Sequence, residues 1–132
     1  MKTFIDSGVL ITGWRGQTAP RLKALTILSE RNRHFISSPF VQLEVLPKAE
    51  YYKNLDELKF YEAFFQDVSD WVQDCDLITR EGLQISKKFG LNALDSLHIA
   101  AAIIANADEF ITAERQTSPF SRVTIIKIIS IV

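Results

Sequence analysis

Gly90-Leu91-Asn92-Ala93-Leu94-Asp95-Ser96-Leu97-His98-Ile99-Ala100-Ala101-Ala102 is the stretch from which the fold can be read. Gly90 is a natural stop for a helix predicted over Arg80–Phe89, because glycine enters the left-handed C-terminal conformation without a steric penalty. Asn92 offers a side-chain oxygen to the free amides of the next helix, which is strongly apolar and predicted over Ala93–Ala105. Glu109–Thr112 then reads as a strand.

Toward the N-terminus, Asp76–Ile78 is predicted as a brief strand. Asn54–Val72 carries Leu55, Leu58, Tyr61, Phe64, Phe65, Val68 and Trp71 or Val72. This i, i+3, i+4 stripe predicts one helix of about five turns. Ser38 caps a helix beginning at Pro39 that contains Phe40, Val41, Leu43 and Val45, and Pro47 is expected to bend or break it. His34–Ser37 is a second short strand. Arg21–Arg31 is a helix with Pro20 at its first turn and Leu22, Leu25, Ile27 and Leu28 on one face. Lys2–Asp6 is the first strand, ending on a carboxylate where Ser7-Gly8 allows a sharp turn. On the C-terminal side, Val123–Ile128 is a last, β-branched strand. Strands separated by helices imply βαβ units, hence an α/β chain whose parallel sheet is covered on both faces.

The 132 residues are 47% hydrophobic, which suits one compact domain over residues 1–132 that closes its core without covalent staples. The one cysteine, Cys75, has no partner for a disulfide or a zinc cluster. The chain therefore reads as intracellular, in the reduced cytoplasm, with Cys75 placed in the core near Leu77 and Ile78. The opening MKTFIDSGVLITGW lacks the apolar run and cleavage site of a secretion signal, and no segment approaches the roughly 20 apolar residues of a membrane span. A net charge of −1 gives no global attraction to nucleic acid, so phosphate binding would depend on local charge or a metal.

Four carboxylates stand out by position. Asp6 ends the first strand, Glu44 interrupts an apolar helix, Asp95 enters the first turn of another, and Glu114 follows a strand. Each has a plain explanation taken alone. Asp6 stops a strand, Glu44 reaches solvent, Asp95 completes a capping box with Asn92, and Glu114 pairs with Arg115 on the surface. Together they fall where ligands gather in parallel sheets, beyond the carboxyl ends of the strands. Convergent carboxylates raise one another's pKa unless a cation lies among them, and oxygen-only donors favour Mg²⁺ or Mn²⁺. No His/Cys set suggests zinc.

Phe4-Ile5-Asp6-Ser7, Gln42-Leu43-Glu44-Val45, the run from Gly90 to Ala102, and Phe110-Ile111-Thr112-Ala113-Glu114 resemble, in order and spacing, the PIN-domain ribonucleases. The resemblance implies a three-layer α/β/α fold with a central parallel sheet of about five short strands. It also implies a catalytic, metal-holding set of Asp6, Glu44, Asp95 and Glu114. A chain of this length is similar to the VapC-type toxins of toxin–antitoxin pairs, which cleave RNA, are silenced by an antitoxin protein, and suggest a homodimer. Two positions depart from the family pattern: an aspartate is usual where Glu114 stands, and a polar residue is common at Gly8.

His98 lies one turn after Asp95 and reads as a packed or hydrogen-bonded histidine, without a catalytic role. Ser7 and Thr112 are placed either to orient the carboxylates or to make ordinary strand-end hydrogen bonds. Arg15, Lys48, Lys53, Lys87, Lys88, Arg115 and Arg122 are candidate phosphate contacts, and Trp14 a candidate base-stacking or partner contact. The aromatic stripe of Leu58, Tyr61, Phe64, Phe65 and Trp71 is chiefly core and a candidate patch for a protein partner. Two other classes compete: a catalytically weak or inert PIN-like binding module, and a receiver-like phosphoacceptor. The second lacks a suitable third-strand aspartate, and Lys127 sits in the isoleucine-rich terminal run.

Overall fold

A computed structural model describes residues 1–132. Five parallel strands form one sheet in the order β3-β2-β1-β4-β5. They are β1 (Lys2–Ile5), β2 (His34–Ser37), β3 (Val68–Trp71), β4 (Glu109–Thr112) and β5 (Lys127–Ser130). Six helices cover it as the outer layers of an α/β/α arrangement: α1 (Ser7–Arg15), α2 (Thr18–Leu28), α3 (Pro39–Tyr51), α4 (Leu55–Asp67), α5 (Cys75–Phe89) and α6 (Ala93–Ile104). The chain runs outward from β1 through β2 to β3, then returns to lay β4 on the other side of β1. Strand order therefore reverses between β1 and β4, and a crevice opens beyond their carboxyl ends.

Pleating decides what each face of the sheet carries. Phe4 on β1 and its register partner Phe110 on β4 stack with ring centroids 5.3 Å apart, and Phe120 packs on Phe110 at 5.2 Å. Against this face lies α6, whose Ala100, Ala101 and Ala102 are fully buried. Alanine lets the helix approach closely. At the amino ends of the strands the buried Glu109 meets Arg33, and both bond to Thr3 Oγ1, at 3.1 and 3.0 Å.

The elements at β1, β2, β4, α6 and the Gly90 stop fall as expected, with Gly90 at φ 67° and Asn92 Oδ1 accepting from the Asp95 amide at 3.0 Å. Other expectations fail for identifiable reasons. Ser7-Gly8 is the first turn of α1, which buries Val9, Leu10 and Gly13. A Cβ on Gly8 would lie 3.3 Å from that of Ala113, so glycine here lets α1 crowd the end of β4. The second helix spans Thr18–Leu28 and not Arg21–Arg31; it buries Ala24 and leaves Leu22 exposed. Pro47 does not end α3, which continues to Tyr51. Pro47 and Leu43, whose carbonyl loses its helical donor, both face solvent, where water substitutes.

The helix expected over Asn54–Val72 stops at Asp67, and Val68–Trp71 becomes the edge strand β3 beside β2. Val68 and Val72 are both buried, and a four-residue spacing puts two side chains on one side in a strand as in a helix. Asp76–Ile78 is helix, because Asp74 caps α5 by accepting from the Leu77 amide at 3.1 Å. Cys75, the first residue of that helix, is exposed rather than in the core. The last strand is Lys127–Ser130 instead of Val123–Ile128. A 3₁₀ turn at Pro119–Arg122 buries Phe120, and pairing of Glu109 with Lys127 through Thr112 with Ser130 sets the register. The aromatic stripe of α4 faces inward, while Leu43, Tyr51, Tyr52 and Leu55 are exposed, with Tyr51 and Tyr52 edge to face.

Removing one partner of a buried ion pair strands the other. Arg33→Leu is therefore expected to cost about 3 kcal/mol in urea unfolding. The double replacement Arg33→Met/Glu109→Met should recover most of that loss. Equal destabilisation by the single and double variants would show that packing, not the charge, holds this corner.

Candidate active site

Asp6 follows β1 directly and is the N-cap of α1, so its carboxyl stands at the switch point with the positive end of a helix dipole beneath it. It is 5% exposed. Thr112, the last residue of β4, donates from Oγ1 to Asp6 Oδ2 at 2.8 Å, and the same Oγ1 accepts from the Glu114 amide at 3.0 Å. One hydroxyl thus ties the end of β1 to the turn after β4. Burial raises the Asp6 carboxyl above its usual range, and Glu44 adds to that, against opposing effects of His98 and Thr112.

Glu44 reaches the same crevice from α3. Its Oε1 accepts from Ser7 Oγ at 2.8 Å and bonds to His98 Nε2, so α1 and α6 both hold a side chain belonging to α3. Burial acts to raise this carboxyl, but the His98 and Ser7 hydrogen bonds outweigh it and leave Glu44 below its usual range. Asp6, Glu44 and His98 each place a ligand atom within 4.8 Å of the others.

Asp95 is the third residue of α6 and is half-buried. Burial first, then the charge of Asp6 with further contributions from Glu114 and Glu44, pushes its carboxyl up to about 6. The four predicted residues therefore act on one another across a single crevice. Glu114 is the outermost and is exposed. No lysine or arginine is among the groups acting on Asp6 or Asp95. The carboxylate oxygens, with the His98 nitrogen beside Asp6 and Glu44, form a donor set made mostly of hard oxygens, which fits a hard divalent cation.

Thr112 orients Asp6, whereas the Ser7 hydroxyl goes to Glu44 and the Ser7 backbone acts on Asp6. His98, expected to be packed or hydrogen-bonded, is both, and its bond goes to a site carboxylate. Its place one turn after Asp95 was the sequence signal for this contact; the partner on α3 was not visible. Arg15 donates from Nη2 to the buried Glu57 at 2.8 Å and lines the same cavity as Glu44, and Arg122 lies against the carbonyl of Gly90 at 3.2 Å. Trp14 is on α1 and packs against Phe60 with centroids 5.7 Å apart, so it serves the core edge. Of the predicted phosphate contacts, Lys48 lines a cavity beside Glu44, and Arg115 lines a cleft with Thr112 and Glu114.

Raising the Asp95 pKa from roughly 4 in an unfolded chain to about 6 means the fold binds a proton that the unfolded chain has released. Stability should then fall as pH rises through that window in the absence of metal. With chelator present, Asp95→Asn is expected to raise the thermal midpoint at pH 7.5 by roughly 3–6 °C, the gap closing below pH 4. A variant that is destabilised equally at both pH values would show that Asp95 serves only to cap α6.

No curated protein sequence matches the chain. Among solved structures, VapBC2 from Rickettsia felis bound to a promoter DNA fragment aligns with a TM-score of 0.74 at 12% identity, covering 98% of both chains. A toxin–antitoxin complex from Klebsiella pneumoniae gives 0.72 at 17% identity, again over 98% of each chain. DNA-bound VapBC from Salmonella typhimurium gives 0.71 at 15% identity, over 100% of this chain and 99% of that one. These likenesses establish a shared fold. The family model of the PIN domain matches residues 3–125, from the second residue of β1 to just short of β5, and so takes in all four carboxylates: the chain belongs to the PIN domain family.

Proposed function

We propose that the chain is a Mg²⁺- or Mn²⁺-dependent endoribonuclease hydrolysing RNA phosphodiester bonds, and the toxin of a toxin–antitoxin pair. It acts in the cytoplasm as a homodimer of one-domain subunits, residues 1–132, silenced by an antitoxin protein. The observation that carries the reading is that Asp6 and Glu44 place carboxylate oxygens within 4.8 Å of one another beyond the end of β1, with Asp95 raised first by burial and then by the charges of Asp6, Glu114 and Glu44. Support for the toxin assignment comes from full-length structural likeness to chains of complexes described as VapBC or toxin–antitoxin. The exposed Tyr51 and Tyr52, edge to face at the end of α3, offer a protein partner apolar surface. No helix is long and apolar enough to cross a membrane.

Asp6 and Asp95 are the core cation ligands. Thr112 engages Asp6 Oδ2 and leaves Oδ1 toward the crevice. A bound divalent ion supplies Lewis-acid polarisation of the phosphodiester and charge to offset the departing oxygen. Glu44, a further ligand, has Oε1 taken by two donors and uses Oε2 to orient the attacking water and accept its proton. Glu114, at the rim, holds an outer water or a second ion. Lys48, in the cavity beside Glu44, and Arg115, in the cleft with Glu114, contact the RNA backbone, where the acidic centre itself repels phosphate.

The purified chain incubated with structured and unstructured RNAs is expected to cleave with Mn²⁺ or Mg²⁺ and to stop with chelator. Asp6→Asn and Asp95→Asn should each lower the rate on the order of 10²-fold or more, the scale seen when a preorganised electrostatic group is removed. Glu114→Gln should lose about tenfold, at the low end for groups that tune a metal indirectly. Cleavage that survives chelation and both aspartate substitutions would overturn the metal-dependent reading. RNA or antitoxin binding without cleavage under any metal would replace it with an inert binding module.

A further inference from the structure

His98 is a polar side chain that packing alone does not call for. It is 1% exposed on the inward face of α6, with its ring centroid 5.9 Å from that of Phe4 and fully buried Ile99 and Ala100–Ala102 beside it in sequence. A leucine would fill such a place without the penalty of burying two ring nitrogens. Of those nitrogens, Nδ1 has no partner. Nε2 bonds to Glu44 Oε1 and lies 4.0 Å from Asp6 Oδ1. A carboxylate oxygen only accepts, so the shared proton is assigned to Nε2. Glu44 Oε1 also accepts from Ser7 Oγ at 2.8 Å. Donors from α1 and α6 thus saturate one oxygen of a carboxylate carried by α3.

We propose that His98 is a positioning residue for Glu44: by donating from Nε2 to Oε1, together with Ser7, it locks the carboxylate so that Oε2 is the oxygen presented to Asp6 and Asp95. Glu44 needs such a lock because it comes from a helix edge through two flexible methylenes, whereas Asp6 and Asp95 are short and held by a strand end and a first helical turn. The role requires only an N–H donor at Nε2. It also differs from direct ligation, since a nitrogen that carries the shared proton has no lone pair for a cation. That Asp6, Glu44 and His98 lie within 4.8 Å of one another makes direct ligation the competing geometry. The inference rests on the proposed function only in taking Glu44 to serve a cation.

Three measurements test it. In the metal-free wild-type chain, long-range ¹H–¹⁵N correlation is expected to show His98 as the Nε2–H tautomer; protonation on Nδ1 alone would overturn the proposal. Mn²⁺ titration followed by electron paramagnetic resonance should give His98→Gln, which keeps an N–H donor at similar reach, within about threefold of wild type. His98→Leu should bind roughly 10–100-fold more weakly while keeping a cooperative thermal transition. Wild-type affinity in His98→Leu would overturn the proposal. So would imidazole nitrogen coupling in the wild-type Mn²⁺ spectrum, with equal losses in both variants. A wild-type chain that takes up no Mn²⁺ and cleaves no RNA counts against the proposed function instead, and the tautomer then still decides the contact to Glu44.

Discussion

Burying the Asp6 carboxylate at the point where strand order reverses is the constraint on which the rest of the structure turns. A charged oxygen removed from water needs donors, and Asp6 finds one in Thr112 from the neighbouring strand and a partial counterpart in His98 from α6. Both depend on register. If β4 slipped by one residue against β1, Thr112 would point to the other face and the buried side chains of both strands would lose their partners. The same register stacks Phe4 on Phe110, so the apolar core and the acidic crevice are secured by one alignment.

Close approach is the second requirement. Gly8 lets α1 crowd Ala113, and the alanines of α6 let that helix sit directly on the phenylalanine face. With larger side chains there, Asp95 and His98 would ride further from Asp6 and Glu44. Two charge clusters away from the crevice hold the frame. Arg33 and Glu109 close the amino ends of the strands, and Arg15 with Glu57 and Tyr61 fastens α1 to α4. Neither lysine nor arginine acts on Asp6 or Asp95 in the crevice.

Much of this was legible in the residues where signals are local. Gly90 and Asn92 announce a stop and a cap through backbone geometry and amide hydrogen bonding, and they do so in the structure. The β-prone runs at Lys2–Ile5, His34–Ser37 and Glu109–Thr112 pair as expected. Where two periods coincide, the pattern misleads: Val68 and Val72 fit a helix stripe and a strand equally, and only the open edge of β2 converts Val68–Trp71 into β3. The terminal isoleucines carry no internal marker of register, so β4 decides which of them pair. Cys75 looked like core because of its apolar neighbours, yet as the first residue of α5 it faces solvent.

By itself, the sequence determined the strands at Lys2–Ile5, His34–Ser37 and Glu109–Thr112, the capped helix after Asn92, and the places of four carboxylates: Asp6 and Glu114 after strands, Asp95 at a helix start and Glu44 within a helix. Those follow from capping, periodicity and the type of side chain, all of which act over a few residues. Only the tertiary structure decided which groups hold which. The Ser7 hydroxyl holds Glu44, His98 reaches across to α3, Thr112 bridges two strand ends, and Arg15 pairs with Glu57. These bonds join residues far apart in the chain, and their geometry is set by sheet register and helix approach, which no local pattern encodes.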